Sequence, residues 1–237
     1  MADITGDGVD DLFTGCFEGG VYVLAGSKGG AFAAPEKLLD KAGKILRLGQ
    51  YWDYDAKKWT GVEDSQFKDK LGIGAAAVDW DDDGDLDLVL GSFEGNLYLR
   101  LNEGSAARPA FAAESIVLTQ DDEPLQISGG DCIPKIADWD GDGRFDILSG
   151  SGHGGVYWLR NVGQKGAPEF AKPEELVSRP PEKRDAKEDG DEQGWPGQRT
   201  QVCATDYDGD GDLDLLVGDY NQTGGKMHGW VWLFRRR

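Results

Sequence analysis

A nine-residue pattern rich in aspartate occurs four times in this chain, and no other feature constrains the fold as strongly. Full copies begin at Asp79, Asp138 and Asp206, and a weaker copy begins at Asp3. All four carry aspartate at positions 1, 5 and 9 and glycine at position 6. Aspartates at this density repel one another unless a cation lies among them. The pattern therefore predicts a cation-binding loop that the chain repeats.

The spacing of the carboxylates favours Ca²⁺. This ion takes about six to eight oxygen ligands, and the glycine at position 6 allows the sharp turn that folds them around it. Position 7 varies among Val9, Asp85, Arg144 and Asp212, so we expect this residue to offer its backbone carbonyl. No histidine or cysteine lies in any loop, which argues against zinc. An acidic Asp-Gly turn that binds no metal is the alternative.

The loops begin like an EF-hand and then depart from it. Position 12 of an EF-hand loop is a bidentate glutamate, whereas Leu90, Ser149 and Val217 occupy that place here. An apolar strand follows each full loop instead. We therefore expect the cation to lie in a turn between two strands.

Each repeated unit extends beyond its loop. A short apolar segment precedes each full loop, and strand-like segments separated by glycine-rich turns follow. We name these strands A to D, with the loop between A and B. The units recur every 60 to 75 residues or so, as expected for roughly 40–50-residue propeller blades that carry insertions. The sequence predicts an all-β fold, a β-propeller of four blades with up to four antiparallel strands each.

We expect one domain over residues 1–237, with blades at about 1–72, 73–131, 132–199 and 200–237. Insertions at residues 40–72, 119–131 and 178–200 connect strand D of one blade to strand A of the next. Strand A is missing before Asp3, and strand D is missing after Trp232. We expect either an upstream segment that completes the ring or a three-stranded last blade.

The units resemble the FG-GAP or VCBS-type repeats of β-propellers, the family that includes the integrin α-subunit head. The resemblance covers nearly the whole chain, and its specific part is the loop Asp-x-Asp-x-Asp-Gly-x-x-Asp followed by an apolar strand. Integrin-type propellers have more blades than the four counted here.

The resemblance implies three to four bound Ca²⁺ ions. The ligands that it implies are Asp79, Asp81, Asp83 and Asp87 in the second loop, Asp138, Asp140, Asp142 and Asp146 in the third, and Asp206, Asp208, Asp210 and Asp214 in the fourth, while the first loop keeps Asp3, Asp7 and Asp11. The position-7 residues Val9, Asp85, Arg144 and Asp212 are the expected carbonyl ligands. Thr5 replaces the third-position acid, so we expect the first site to be the weakest. The rings of Trp80, Trp139 and Tyr207 are expected to pack against the blades.

A ligand is expected on the face opposite the loops. Strand direction assigns the insertions and the B–C turns to that face, and exposed aromatic side chains on loops over a rigid scaffold are typical of binding sites. The candidates are Tyr51, Trp52, Trp59, His153 and Trp195. The alternative is that these rings fix the insertions to the propeller.

Composition narrows the function. With 44 acidic and 25 basic residues, the chain has a formal charge of −19, which disfavours nucleic acid and anionic membranes as partners. No apolar run is long enough for membrane insertion. A signal sequence is not present in the printed chain, yet millimolar Ca²⁺ outside cells would fill such loops, so an extracytoplasmic location is expected.

We therefore interpret the chain as a calcium-binding module for binding or adhesion, with a carbohydrate or protein ligand. A polysaccharide lyase or hydrolase-associated propeller and a purely structural subunit are the alternatives. The chain has two histidines and no recognisable catalytic motif, which argues against the enzyme.

Overall fold

The computed structural model describes residues 1–61, 67, 70–179, 196–223 and 226–236. These residues form strands and turns, and none of them lies in a helix. Four small antiparallel sheets are arranged as a four-bladed β-propeller. The fold predicted from the repeated loops is therefore confirmed.

The blades follow one another along the chain. Blade 1 contains β1 (Leu12–Gly15), β2 (Val21–Leu24) and β3 (Glu36–Lys37), followed by a hairpin of β4 (Tyr51–Asp53) and β5 (Lys58–Thr60). Blade 2 contains β6 (Gly72–Val78), β7 (Asp87–Ser92), β8 (Leu97–Arg100) and β9 (Ile116–Val117), followed by a hairpin of β10 (Thr119–Gln120) and β11 (Glu123–Pro124). Blade 3 contains β12 (Pro134–Ala137), β13 (Asp146–Gly150), β14 (Val156–Leu159) and β15 (Glu174–Val177). Blade 4 contains β16 (Gln198–Thr205), β17 (Asp214–Thr223), β18 (Lys226–His228) and β19 (Val231–Phe234).

Blades 2 and 3 show the complete order of strands A to D, namely β6 to β9 and β12 to β15. In blade 1, β1 is strand B, and only an isolated bridge between Ala2 and Asp11 precedes it. In blade 4, β16, β17 and β19 are strands A, B and C, while β18 extends the B–C hairpin. The predicted D–A insertions contain the two hairpins, and most of the third insertion lies outside the described residues. The blade and domain boundaries remain predictions.

Apolar side chains between neighbouring blades form the core. Blades 1 and 2 share a cluster that includes Ile4, Val23, Leu88 and Tyr98. The cluster between blades 2 and 3 contains Val89 and Ile147, and Val202 and Leu148 belong to the one between blades 3 and 4. No described residue of blade 4 belongs to the cluster of blade 1.

Burial along the strands follows from this arrangement. Every residue of β7 and β13 is buried, because a blade packs on each side of these sheets. The strands β1 and β19 alternate exposed and half-buried residues instead. Among the described residues, blades 1 and 4 each share an apolar cluster with one other blade, and Leu12 and Val231 are exposed.

The glycine near the end of strand B sets how closely two blades approach. A Cβ atom added to Gly91 would lie 2.1 Å from the carbonyl oxygen of Cys132, which precedes strand A of blade 3. At Gly150 the corresponding distance, to the carbonyl oxygen of Thr200, is 1.9 Å. The equivalent Gly218 of blade 4 has space, since the nearest atom, the carbonyl oxygen of Gln201 in its own blade, is 4.0 Å away. Glycine is therefore required where another blade packs against strand B.

The described part of the chain contains no helix that is both long and apolar enough to cross a membrane.

Candidate metal centres and binding face

The three full loops bring their aspartates together at the A–B turns. In each, three carboxylate groups offer oxygen atoms that lie within 4.8 Å of one another. The groups are Asp79, Asp81 and Asp83; Asp138, Asp140 and Asp146; and Asp206, Asp208 and Asp210. The first loop, whose residues are all described and in which Thr5 replaces the third-position acid, forms no such group.

The glycine at position 6 shapes each loop. Its φ is positive in all four copies, for example 90° at Gly84 and 86° at Gly143, a conformation that side chains with a Cβ rarely adopt. In this conformation its amide donates a hydrogen bond to the first aspartate, over 3.2 Å from Gly84 to Asp79 and 2.9 Å from Gly143 to Asp138. The backbone thus turns around the first carboxylate.

The ninth aspartate has a different role from the first. Asp87 is buried, and its two oxygens accept hydrogen bonds from the amides of Trp80, over 3.0 Å, and Asn102, over 2.7 Å. The same pair of amide contacts recurs at Asp11, Asp146 and Asp214. The ninth carboxylate therefore joins the start of the loop to the residue that follows strand C, or its equivalent in blade 1.

Several oxygen atoms in the loops fit a cation. Oδ1 of Asp79, Oδ1 of Asp85 and Oδ1 of Asp140 are buried and accept no hydrogen bond from a described residue. A buried carboxylate oxygen without a partner is unfavourable, and a hard cation would satisfy it. The donor sets consist of oxygen, as Ca²⁺ requires, so the residues present fit the ion.

Burial and mutual repulsion act on the same carboxylates. Burial, with the charges of Asp81 and Asp85, raises the pKa of Asp87 to about 6 against the opposing effect of its amide contacts. Burial also raises the pKa of Asp85, and so do the charges of the neighbouring aspartates, with Asp83 contributing most. A cation among these groups would stabilise their charged forms.

Basic side chains compensate part of the charge. Nε of Arg160 lies 2.6 Å from Asp140, and Nζ of Lys165 lies 2.7 Å from Asp82. The guanidinium of Arg144 contacts Asp142, its neighbour in the same loop. Lys165 belongs to blade 3 and Asp82 to blade 2, so this ion pair also links two blades.

The aromatic residue at position 2 does not behave alike in the three full loops. Trp80 packs between Phe145 and Phe170 of the next blade, with ring centroids 5.8 Å from each. Trp139 is buried against blade 4. Tyr207 is 60% exposed, so its predicted packing role is wrong. No described blade follows blade 4, so the aromatic ring of Tyr207 has no neighbouring blade to pack against.

The opposite face carries an aromatic cluster on the first insertion. Trp52 and Trp59 pair across the hairpin with ring centroids 5.5 Å apart, and Phe17 of the B–C turn lies 5.6 Å from Trp59. Tyr51 packs separately, under the guanidinium of Arg47 at 3.5 Å. Trp59 keeps 44% of its surface exposed. The cluster both holds the hairpin against blade 1 and leaves one ring accessible.

A cavity of about 260 Å³ lies beside this cluster, between the innermost strands of the four blades. Its walls include Phe17, Phe93, Asp131, Lys135 and Arg199. Nε of Arg199 is 3.4 Å from Asp131, and its guanidinium carbon is 5.9 Å from the centroid of Phe93. Burial raises the pKa of Asp131, while the charges of Arg199 and His153 oppose this shift.

The structure thus brings His153 near Asp131, and Trp59 near Phe17 at the edge of the same cavity. Trp195 lies outside the described residues. Sequence reasoning missed Phe17, Phe93, Asp131 and Arg199. A signal for the two phenylalanines exists, since Phe-Glu-Gly follows strand B in both blade 1 and blade 2. Nothing in the repeat marks Asp131 or Arg199.

Comparison with known proteins agrees with the repeat. Residues 138–217 match the model of the FG-GAP-like repeat. No curated protein matches the chain with significance.

Two solved structures are similar at low identity. One is a Tc holotoxin pore of Photorhabdus luminescens, with 20% identity and a TM-score of 0.43 over 97% of this chain and 8% of that chain. The other is an Agrocybe aegerita lectin that recognises non-reducing terminal N-acetylglucosamine, with 22% identity and a TM-score of 0.42 over 98% of this chain and 50% of that chain. This chain therefore spans at most half the length of either one. Residues 138–217 are therefore similar to an FG-GAP-like repeat, and they lie within a four-bladed β-propeller.

Proposed function

We propose that this propeller is a calcium-stabilised binding or adhesion module that works outside the cytoplasm. The observation that carries the proposal is the set of buried carboxylate oxygens without a hydrogen-bond partner in the A–B loops. Ca²⁺ would bind at Asp79, Asp81 and Asp83 and at the equivalent positions of the other loops, where the backbone already curves around the first carboxylate. The ion would supply positive charge to crowded carboxylates, and the residues would position it. Its role is structural.

Calcium titration followed by thermal unfolding tests this role. We expect millimolar Ca²⁺ to raise Tm by several degrees, since an ion at about 100 times its Kd adds roughly 2.7 kcal/mol per site. Excess chelator should reverse the change, and Mg²⁺ should replace Ca²⁺ poorly because it demands smaller octahedral sites. Equal Tm values in Ca²⁺ and in chelator would contradict the proposal.

The ligand of the module, a carbohydrate or a protein, is proposed to bind on the face opposite the loops. The exposed ring of Trp59, held by Trp52 and Phe17, supports this choice. An aromatic ring fixed in this way offers a flat apolar surface at little entropic cost. Nucleic acid is not a proposed partner, given the charge of −19.

Binding of the wild-type chain and of Trp59→Ala to glycan and protein arrays tests whether the face opposite the loops binds the ligand. We expect this substitution to remove binding while the calcium-dependent Tm shift remains. Phe32→Ala is the matched control, because Phe32 is equally exposed, at 44%, but lies in the C–D turn on the loop face. Equal binding by all three proteins would exclude the cluster as the contact. If Trp59→Ala unfolds, the ring of Trp59 serves to hold the hairpin in place and does not mark a ligand site.

A further inference from the structure

The cavity at the centre of the binding face is basic, although the chain is strongly acidic. Among its lining residues, Lys135 and Arg199 are basic and Asp131 is acidic. The chain as a whole has a formal charge of −19, so this local excess of positive charge is unusual for the molecule. A concave site of one sign concentrates ligands of the opposite sign.

Both basic groups keep donors for a ligand. No acidic side chain in the described residues forms a salt bridge with Lys135, which projects from strand A of blade 3. Arg199 contacts Asp131 through Nε, which leaves the terminal N–H groups of its guanidinium to bind elsewhere. Two separate donors at one cavity suit a carboxylate, which has two oxygens.

The remaining walls suit a ring with one apolar face and several hydroxyl groups. Phe17 and Phe93 border the cavity and are 50% and 40% exposed, so their rings offer stacking surfaces. Thr14 and Gln201 also line the cavity and are exposed polar residues. The volume of about 260 Å³ is just below the range of roughly 300–1,000 Å³ that holds drug-sized molecules. One sugar ring is an appropriate size.

From these features we infer that the cavity binds a sugar residue that bears a carboxylate, such as a hexuronic acid. Lys135 and Arg199 bind the carboxylate, the phenylalanine rings contact the apolar face of the sugar, and Asp131 holds Arg199 in place. Asp131 lies three residues before β12, in the connector that leads into blade 3, and Arg199 lies in β16 of blade 4. The inference rests on the proposed function and narrows its ligand to acidic carbohydrate.

Ligand-observed NMR with matched sugars tests the inference. Glucuronate and glucose differ in a carboxylate at one carbon, so their comparison isolates the charge. We expect glucuronate to bind at least tenfold more tightly than glucose, which corresponds to about 1.4 kcal/mol, and to weaken as salt concentration rises. Lys135→Met should abolish this preference, whereas Lys28→Met, which removes an exposed lysine from a C–D turn, should leave it unchanged. The Ca²⁺-dependent Tm of each variant verifies folding.

Acetate is the control for an unspecific anion site. Equal affinity for acetate and glucuronate would overturn the assignment of a sugar, and so would equal affinity for glucose and glucuronate. If glucuronate does not bind but another glycan or a protein binds in a Trp59-dependent manner, the acidic sugar is excluded and the binding module stands. Absence of binding to every glycan and protein tested would overturn both.

Discussion

At the scale of single residues, aspartates that look equivalent in the sequence separate into two groups. Asp81 is exposed in its loop, whereas Asp87 is buried and accepts two amide hydrogen bonds. The repeated pattern predicts both as cation ligands and gives no signal for this division, because spacing alone does not show which amides a carboxylate meets. Asp87 therefore supports the fold through these two hydrogen bonds, whether or not a cation is bound.

Two substitutions distinguish these roles. Asp87→Ala leaves the buried amide of Asn102 and the partly buried amide of Trp80 without an acceptor. A buried donor without a partner costs about 1–3 kcal/mol, so we expect a lower free energy of unfolding with and without Ca²⁺. Asp81→Ala removes an exposed carboxylate and should reduce the Ca²⁺-dependent gain alone. Urea unfolding in Ca²⁺ and in chelator gives both values. Identical profiles for the two variants would show that the division is wrong.

The thiol of Cys132 reports on the core between blades 2 and 3. Complete burial raises the pKa of Cys132 to about 12, and the thiolate is the reactive form. We expect Cys203, which is exposed, to react with iodoacetamide in the folded protein, and Cys132 to react after unfolding. Mass spectrometry of labelled peptides measures this. Chelation of Ca²⁺ should accelerate labelling of Cys132, and rapid labelling in Ca²⁺ would contradict its burial.

At the scale of the elements, the sequence predicts strands A, B and C well because their apolar runs flank a recognisable loop. Strand D is predicted less well, since it contains just two residues in blade 1, Glu36–Lys37, and two in blade 2, Ile116–Val117. The hairpins inside the insertions are not predicted, because their pairing across Trp52 and Trp59 depends on contacts outside the repeat. The repeated sequence pattern therefore predicts the strands of the blades. The structure of the insertions depends on contacts that occur once in the molecule and that the repeat does not reveal.

The glycines of strand B give a matched pair for testing contact between blades. Gly91→Ala places a methyl group against the carbonyl oxygen of Cys132, and overpacking of this kind costs about 1–3 kcal/mol. Gly218→Ala meets open space and should change the free energy of unfolding by about 0.5 kcal/mol at most. Chemical denaturation of both variants measures the difference. Equal destabilisation would mean that a chain segment also packs against Gly218.

At the scale of the whole molecule, the excess of acid is concentrated in the repeated loops. The chain has 44 acidic and 25 basic residues, and the loops place several of the acids within a few ångströms of one another. Self-repulsion at this density destabilises the folded state. We therefore expect the stability of the fold to depend on the cations that the solution supplies.

Ionic strength should affect the Tm of the calcium-free protein more than the Tm of the calcium-bound protein. In chelator, we expect an increase in NaCl concentration to raise Tm, because salt screens the exposed loop carboxylates. In saturating Ca²⁺ the same increase should have a smaller effect, because the bound ions already neutralise these groups. Calorimetry across a salt series measures both slopes, and equal slopes would show that the loops are not the main source of repulsion.

The open side of Gly218 has a further meaning for how such a molecule can grow. In blades 1 to 3, the backbone of the next blade packs against the glycine of strand B. The equivalent Gly218 of blade 4 has no described residue of another blade in this position. In this respect the described chain is a series of similar repeat units, and the last unit presents the packing surface that its predecessors use. We expect a copy of residues 132–179, appended after blade 4, to place the equivalent of β12 against Gly218 in the way that β12 itself packs against blade 2.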